Sequence, residues 1–171
     1  RYTFGDITWE GNKLFGTVEL TSRLGFEKGE TYSKKKIDEA VYKNIGSIYY
    51  DNGYIYATAT PRETVNKDNR QQLDIHFIVS EGKQAKINEI RIVGNSRTKE
   101  KVIRRELRLF PGDIFSRALL ERSQRDVWML NYFANVEPQV KPLNEEKVDI
   151  EFKVEEKSTD TANMSAGWSE R

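Results

Sequence analysis

The chain has 171 residues, of which 28 are Lys or Arg and 27 are Asp or Glu, so its formal net charge is only +1. This balance argues against a nucleic-acid-binding protein, because such a protein needs a basic surface. The absence of cysteine excludes disulfides, thiol nucleophiles and cysteine-based metal sites. No apolar run is long enough for a membrane helix, and a start at Arg1 without a signal peptide is what we expect of a fragment.

The chain contains an internal repeat of about 80 residues. The pattern of its first copy predicts a strand, two helices and a hairpin. The strand covers residues 2–9, and the hairpin pairs residues 54–60 with residues 71–80. The first helix has apolar side chains at Leu14, Val18 and Leu24. The second helix starts after Ser33, a good N-cap, and buries one face made of Ile37, Ala40, Val41, Ile45 and Ile48.

The second copy follows the same order. A strand covers residues 85–93, and Thr98 is expected to cap a helix that buries Val102, Ile103 and Leu107. After a turn at Pro111-Gly112, a helix starting after Ser116 has a buried face of Leu119, Leu120, Ser123, Val127 and Leu130. Residues 136–141 and 147–156 then form a hairpin.

The repeat is visible directly in the letters. Residues 7–12 (ITWEGN) return as residues 90–95 (IRIVGN), 83 positions later, whereas residues 73–81 (LDIHFIVSE) return as residues 148–156 (VDIEFKVEE), 75 positions later. A repeat of about 80 residues has the size of a small domain. The first copy therefore has eight more residues, and we expect them in the polar turn 66–70, where an insertion costs little.

The direction of each strand follows from the order of the elements. Two antiparallel helices return the chain so that the second strand runs opposite to the first. The third strand can then lie parallel to the first and antiparallel to the second. We expect an α+β fold of two tandem β-α-α-β-β modules, each a three-stranded mixed sheet covered by two helices. The second strand lies on an edge in each module. The expected boundaries are residues 1–82 and 83–157, followed by a tail at 158–171.

No residue is assigned to catalysis, a cofactor or a metal. His76, the only histidine, has no second histidine or cysteine with which to share a metal, so we expect a packing or surface role. Asp74 and Asp149 open the third strand of each module and are expected to have a structural role in a turn. Gly11 and Gly94 lack the lysine and flanking glycines of a phosphate loop, and a turn with positive φ explains both.

Several motifs together resemble the POTRA domain, and the second copy is similar to the membrane-proximal POTRA of BamA-like outer-membrane assembly factors. These motifs are VIRREL at residues 102–107, GDIFS at residues 112–116, LNYF at residues 130–133 and VDIEFKVEE at residues 148–156. The tail alternates apolar and polar residues over 162–169, as a transmembrane β-strand does. Residues 158–171 are therefore expected to start the first strand of a membrane barrel.

The resemblance implies a non-enzymatic scaffold without cofactors on the periplasmic face of the bacterial outer membrane. Its implied partners are assembly-machinery lipoproteins, unfolded outer-membrane proteins and the chain's own C-terminal barrel, with no nucleic acid. The resemblance also implies that Glu106, with Arg104 and Arg105 beside it, lies in the surface that meets a lipoprotein. Charge alone would suggest an ordinary salt-bridged helix surface.

An edge strand offers unpaired N–H and C=O groups to any extended chain, which suits the capture of many different clients. The predicted edge strand of the second module contains Pro138 and precedes Pro142, and each proline removes a donor. The client edge predicted in the first module has no proline before Pro61, so we expect the first module to be the better capture surface. That edge consists of Tyr54, Ile55, Tyr56, Ala57, Thr58, Ala59 and Thr60.

Three alternatives remain at this point. A two-partner secretion transporter also places two POTRA modules before its barrel, but it exports one dedicated substrate. An RNA-binding module would require exposed aromatic residues on a basic sheet face, which the balanced charge disfavours. A cell-division POTRA protein would have a single module beside a membrane helix.

Overall fold

The structure, a computed structural model, describes residues 1–158. The chain divides into two compact units: Arg1–Ala85 with Ile114–Arg117, and Lys86–Asp113 with the chain from Ala118 onward. We call them the first and second modules and describe each by itself. The strand predicted over 162–169 lies outside the described residues, as does all but Ser158 of the predicted tail. Over residues 1–158, none of the helices has the length and apolar character needed to cross a bilayer.

The first module is a three-stranded sheet with helical segments between its first and second strands. Its strands are β1 (Thr3–Glu10), β2 (Thr58–Val65) and β3 (Gln72–Ser80). Its helical segments are α1 (Thr17–Ser22), α2 (Lys34–Glu39), a π-helical segment (Ala40–Ile45) and α3 (Gly46–Asp51). The sheet order is β1-β3-β2, with β1 parallel and β2 antiparallel to β3.

The second module repeats this plan. Its strands are β4 (Lys86–Val93), β5 (Phe133–Pro142) and β6 (Lys147–Glu156), in the order β4-β6-β5. Its helices are α4 (Glu100–Arg104) and α5 (Arg117–Trp128). β6 again lies parallel to the first strand and antiparallel to the second. The predicted fold class is confirmed, and β2 and β5 lie on sheet edges as expected.

Helical periodicity predicted the buried side chains of the second helix of the first module correctly. For the first helix of that module, the predicted buried side chains were wrong. Ser33 Oγ accepts a hydrogen bond from the Lys36 backbone N–H, as an N-cap should, and Ile37, Ala40, Ile45 and Ile48 are buried. By contrast Leu14 and Val18 are exposed, and the residues buried here are Leu20 in α1 and Leu24 just after it. The reason is that α1 begins only at Thr17, after Gly16 at its N-cap, so Leu14 precedes the helix.

In the second module the first helix is shorter than predicted. α4 has Lys99, not Thr98, at its N-cap and ends at Arg104, so Leu107 is buried from the loop that follows the helix. Thr98 instead donates its backbone N–H to Glu156 at 2.7 Å. The second strand, β5, begins at Phe133, three residues before the predicted start.

The eight extra residues of the first module lie mostly at the end of its second helix, which corrects the placement in the hairpin turn. Ala59 and Val136 pair with equivalent positions of β3 and β6, yet they are only 77 positions apart. Six of the eight residues therefore precede β2, and two lie in the turn. The helical run continues to Asp51 in the first module, whereas α5 ends at Trp128, which matches Ile45.

The repeated aspartates fill a β-bulge in each sheet. The Asp74 carboxylate accepts hydrogen bonds from the Asp6 backbone N–H (2.7 Å) and from Asn66 Nδ2 (2.9 Å), beside the bulge in β1. Asp149 is buried beside the matching bulge in β4 and accepts a hydrogen bond from Asn88 Nδ2 at 3.0 Å. The prediction of a role in a turn is wrong for both, because each lies within the strand pairing, where its role is nevertheless structural.

Gly11 and Gly94 end the first strand of each module with φ of 85° and 90°. A Cβ at Gly11 would lie 2.1 Å from the Val79 carbonyl oxygen, and one at Gly94 would lie 2.0 Å from that of Val154. The predicted turn with positive φ is confirmed, and close packing on the third strand adds a second reason for glycine.

Candidate functional site

The outer edge of β2 is the first element of the candidate site. Asn66 donates its backbone N–H to the Gln72 carbonyl at 2.9 Å. Together with the strand register, this bond shows which residues of β2 direct their backbone N–H and C=O groups toward β3. In an antiparallel pair this direction alternates along the strand. The backbone groups of Ala59, Pro61, Glu63 and Val65 therefore point outward, away from the sheet.

The position of this edge differs from the prediction. Tyr54–Ala57 form a turn, in which Tyr54 N–H donates to the Tyr49 carbonyl (2.9 Å) and Ala57 N–H to the Tyr54 carbonyl (3.2 Å). β2 starts only at Thr58, and it continues through Pro61 instead of ending there. Proline is tolerated because position 61 faces outward, where no ladder donor is lost. The prediction that residues 54–57 belong to the edge strand is wrong.

A groove of about 570 Å³ runs between β2 and the helical segments that precede it. Residues of the π-helical segment line it on one side, and residues 57–61 line it on the other. The residues that line it from the helical side are Asp38, Val41, Tyr42, Ile45, Gly46, Tyr49 and Tyr50, and those from the turn and strand include Tyr54, Ile55, Ala57 and Ala59. Much of this lining comes from the inserted residues and from the π-helical segment.

The π-helical segment forms part of the helical side of the groove. The Gly46 backbone N–H donates to the carbonyl of Val41, five residues earlier, which is the hydrogen bond that defines a π turn. Such turns accommodate an extra residue within a helix and occur often at functional sites. Here the turn carries Tyr42 into solvent at 77% exposure, on the rim of the groove.

Four tyrosines line the groove, namely Tyr42, Tyr49, Tyr50 and Tyr54. Tyr49 is buried and donates its hydroxyl to Glu81 Oε2 at 2.8 Å. Burial raises the pKa of the Tyr49 phenol, and the hydrogen bond to Glu81 raises it further, so this group stays neutral. The rings of Phe15 and Tyr54 meet the Tyr49 ring edge-on, at centroid distances of 4.9 and 6.3 Å. The groove is therefore preformed around one fixed aromatic ring.

The matching edge of the second module is obstructed. Leu143 N–H donates to the Lys147 carbonyl (2.9 Å), so Pro138 and Pro142 of β5 face outward along with Val136 and Val140. Gln124 Nε2 donates to the outward carbonyl of Val136 at 2.8 Å. The helix position that corresponds to Gln124 in the first module is Val41, which has no polar atom for the same hydrogen bond. Two prolines and one side-chain amide thus occupy this edge.

The predicted partner-binding residues lie together at the end of α4 and directly after it. Glu106 is in the turn that follows the helix, not on the helix, and its carboxylate lies 3.7 Å from the exposed Arg105 side chain. Arg104 is held in place, because it donates to the Ile90 carbonyl (2.8 Å) and to Glu100 (2.7 Å). Arg105 is exposed and Glu106 is partly exposed, whereas Arg104 fixes α4 to β4.

A carboxylate caps the loop after the first strand in each module, a feature that the sequence reasoning missed. Glu81 accepts the backbone N–H groups of Lys13 and Leu14, both at 3.0 Å. The equivalent Glu156 accepts those of Arg97 and Thr98. The hydrogen bond from Thr98 is the main reason that the pKa of Glu156 falls to about 2. The sequence signal for this capping carboxylate was the glutamate that ends both copies of the motif at residues 73–81 and 148–156.

His76 bonds to its strand neighbours on the exposed face of the first sheet. Its Nδ1 lies 2.7 Å from Thr8 Oγ1 and its Nε2 lies 3.0 Å from Glu10 Oε2. Over residues 1–158, His, Asp and Glu side chains do not gather in groups of three that could hold a metal ion. The site thus offers surface and backbone groups for binding.

The fold and the repeated motifs match one protein family. The family model described as "POTRA: Surface antigen variable number repeat" matches residues 2–82 and again residues 85–157. The chain belongs to the POTRA family.

Relatives of this chain carry names connected with outer-membrane assembly. A Treponema pallidum (strain Nichols) protein, named provisionally as an outer membrane protein assembly factor, is 32% identical over 98% of this chain and 20% of its own length. The outer membrane protein assembly factor BamA of Neisseria meningitidis serogroup B is 30% identical over 98% of this chain and 21% of its own length. The chain thus spans about a fifth of each of these relatives.

A solved structure supports the fold. The crystal structure of Haemophilus influenzae BamA POTRA3-5 superposes with a TM-score of 0.75 at 23% identity, and the match covers 91% of this chain and 61% of that one. At this identity the likeness establishes the architecture of the modules.

Proposed function

We propose that this chain is the periplasmic scaffold and client-receiving part of an outer-membrane β-barrel assembly factor. It receives unfolded barrel proteins as extended strands at the outer edge of β2, and it binds lipoprotein partners elsewhere on its surface. The proposed boundaries are residues 1–82 and 83–157, which the two family matches support. The names of the relatives support the assembly role.

The open edge beside the groove is the observation that carries this proposal. A client residue that pairs with Ala59 places its side chain on the same face of the sheet as Ala59, which is the face toward the groove. The N–H groups of Ala59, Glu63 and Val65 are available to the added strand, because they point away from β3. Backbone pairing accepts many sequences, while the groove favours apolar side chains at alternate positions.

An NMR titration of the full chain tests this proposal. The ligand is a peptide with alternating apolar and polar residues that copies an outer-membrane β-strand. We expect amide shifts at Ala59, Glu63 and Val65. Ala59→Pro removes one outward donor without breaking the ladder to β3, so it should weaken binding by about tenfold.

The second module supplies the matched control. Val140→Pro also removes an outward donor from an edge strand, but at the obstructed edge of β5, and it should leave the peptide affinity unchanged. Equal weakening by both variants, or no shifts along β2 at saturating peptide, would contradict client capture at the first module.

Lipoprotein binding is proposed at the exposed Arg105 and the partly exposed Glu106, which follow α4. Replacing Glu106 by Lys puts two like charges side by side, so we expect it to weaken capture of the partner lipoprotein by the full-length factor while the peptide affinity at β2 stays the same. Glu145→Lys, a matched charge reversal in the hairpin turn of the second module, is the control. A Glu106→Lys variant that captures the lipoprotein normally would place that interface elsewhere.

A further inference from the structure

Three large side chains lie exposed at the C-terminal end of α5. Trp128 is 51% exposed, Met129 78% and Tyr132 54%, all within five residues. We call these three side chains the aromatic patch. Surface of this kind, concentrated in one place rather than scattered, marks an interaction site in many soluble domains.

The backbone under the patch is well ordered by hydrogen bonds. Met129 N–H donates to the Arg125 carbonyl (2.9 Å), and Asn131 N–H to the Trp128 carbonyl (3.1 Å). Asn131 then adopts a left-handed conformation, with φ of 62°, and ends the helix. The exposed side chains therefore stand on a rigid helix end, and their exposure does not result from a frayed segment.

The end of β6 runs directly beside the patch. Lys157 N–H donates to the Tyr132 carbonyl at 3.0 Å, and Lys157 Nζ donates to Asn131 Oδ1 at 2.5 Å. The patch thus lies beside the end of β6.

Basic side chains surround the patch. Arg125 lies one helical turn before Met129, and Lys157 and Arg97 contact each other through the Arg97 bond to the Lys157 carbonyl (2.7 Å). The Glu156 carboxylate contacts Arg97 and accepts hydrogen bonds from Ser96, Arg97 and Thr98. Because Arg97 forms an ion pair with Glu156, the cations that remain beside the patch are Arg125 and Lys157.

We propose that the aromatic patch docks this end of the second module onto an anionic phospholipid surface. Trp and Tyr rings are amphipathic and prefer the depth of the lipid headgroups. Met129 adds apolar surface, and Arg125 and Lys157 are placed to meet lipid phosphates. The inference goes beyond peptide capture by the first module and does not depend on it.

Vesicle binding by the full 171-residue chain tests this inference. The probe is cosedimentation with vesicles of phosphatidylethanolamine and phosphatidylglycerol, with phosphatidylcholine vesicles for comparison. The double variant Trp128→Ser/Met129→Ser should bind at least about tenfold more weakly, because both side chains lose apolar surface. Arg125→Gln should weaken binding to the anionic vesicles by about fivefold and have little effect on phosphatidylcholine.

The control is Leu14→Ser/Val18→Ser, which removes a comparable amount of exposed apolar surface from the first module and should bind as the parent does. Thermal unfolding checks that each variant is folded. Tyr132→Ser, which spares α5 itself, is a second variant that should also weaken binding. Equal binding by the parent and Trp128→Ser/Met129→Ser would overturn the inference. Failure of the parent to bind anionic vesicles would also overturn it and would indicate a protein as the occupant of the patch.

Discussion

The hydroxyl of Tyr49 donates a hydrogen bond to the Glu81 carboxylate at 2.8 Å, and this contact joins the floor of the groove to the loop after β1. Glu81 also holds two backbone N–H groups of that loop, so the contact couples three parts of the first module. Tyr49→Phe keeps the ring and removes the hydroxyl. We expect it to lower the free energy of unfolding of the first module by about 1 kcal/mol.

Urea unfolding followed by the NMR signals of the first module measures this loss. Tyr2→Phe, which removes a hydroxyl from an exposed tyrosine, is the control and should have no effect. A Tyr49→Phe variant as stable as the parent would mean that Glu81 is satisfied by its backbone donors alone.

Glu156 should make the second module sensitive to acid. Its pKa is lowered from 4.5 to about 2, mainly by the Thr98 backbone N–H, so the native state favours the charged carboxylate. The stabilisation is complete above the unfolded pKa and is lost as the pH falls through about 2. Glu156→Gln should be less stable than the parent at neutral pH, and this difference should shrink as the pH approaches 2.

Urea midpoints of the second module between neutral pH and pH 2 measure this difference. Glu155→Gln changes an exposed neighbour and should follow the parent at every pH. A Glu156→Gln deficit that stays constant with pH would show that packing, rather than charge, stabilises this loop.

Val41 is expected to keep the edge of β2 open. Its counterpart Gln124 donates to the Val136 carbonyl in the second module, and Ala59 is the residue that corresponds to Val136. Val41→Gln should therefore donate to the Ala59 carbonyl and weaken peptide binding several-fold. Val41→Leu is the control, because it has no donor and should leave the affinity close to that of the parent. The NMR titration with the β-strand peptide measures both.

Gly5 is required by the bulge in β1. A Cβ at this position would lie 2.1 Å from Asp74 Oδ1 and 3.2 Å from the Leu73 carbonyl, so Gly5→Ala displaces the carboxylate from its N–H donors. We expect a loss of about 1–3 kcal/mol in the stability of the first module. At Gly16 no atom lies within 4 Å of the added Cβ, so Gly16→Ala serves as the control. Similar midpoints for the two variants in urea would argue against this role of Asp74.

The topology could be predicted because it follows from repetition and strand direction, which survive sequence divergence. The third strands carry paired motifs at residues 73–81 and 148–156, and the helices between the first and second strands force the second strand to an edge. The bulges were not visible in advance, because they depend on how Asp74 and Asp149 meet donors from another strand.

The groove could not be predicted, because the inserted residues that form much of its lining were expected at the wrong place in the chain. Tyr49-Tyr50 and Tyr132-Phe133 keep the offset of 83 and resemble each other, yet Tyr50 is helical and its counterpart Phe133 is in a strand. The insertion was consequently assigned to the hairpin turn. Pro61 compounded the error, since a proline within a predicted strand suggests an end unless the outward direction of its nitrogen is known.

The π-helical segment gives the helix of the first module a fixed phase. One residue changes the direction of an α-helix by about 100°. The π turn in Ala40–Ile45 absorbs one extra residue, whereas a single deletion from α2 (Lys34–Glu39) has no such turn to absorb it and would rotate everything after it. Tyr49 would then turn away from Glu81, and the turn 54–57 would leave β2 in the wrong register. The helical side of the groove can therefore be lengthened or shortened only by changes that keep the rotational position of the later residues around the helix axis. The spacing of its tyrosines is thus as important as their identity.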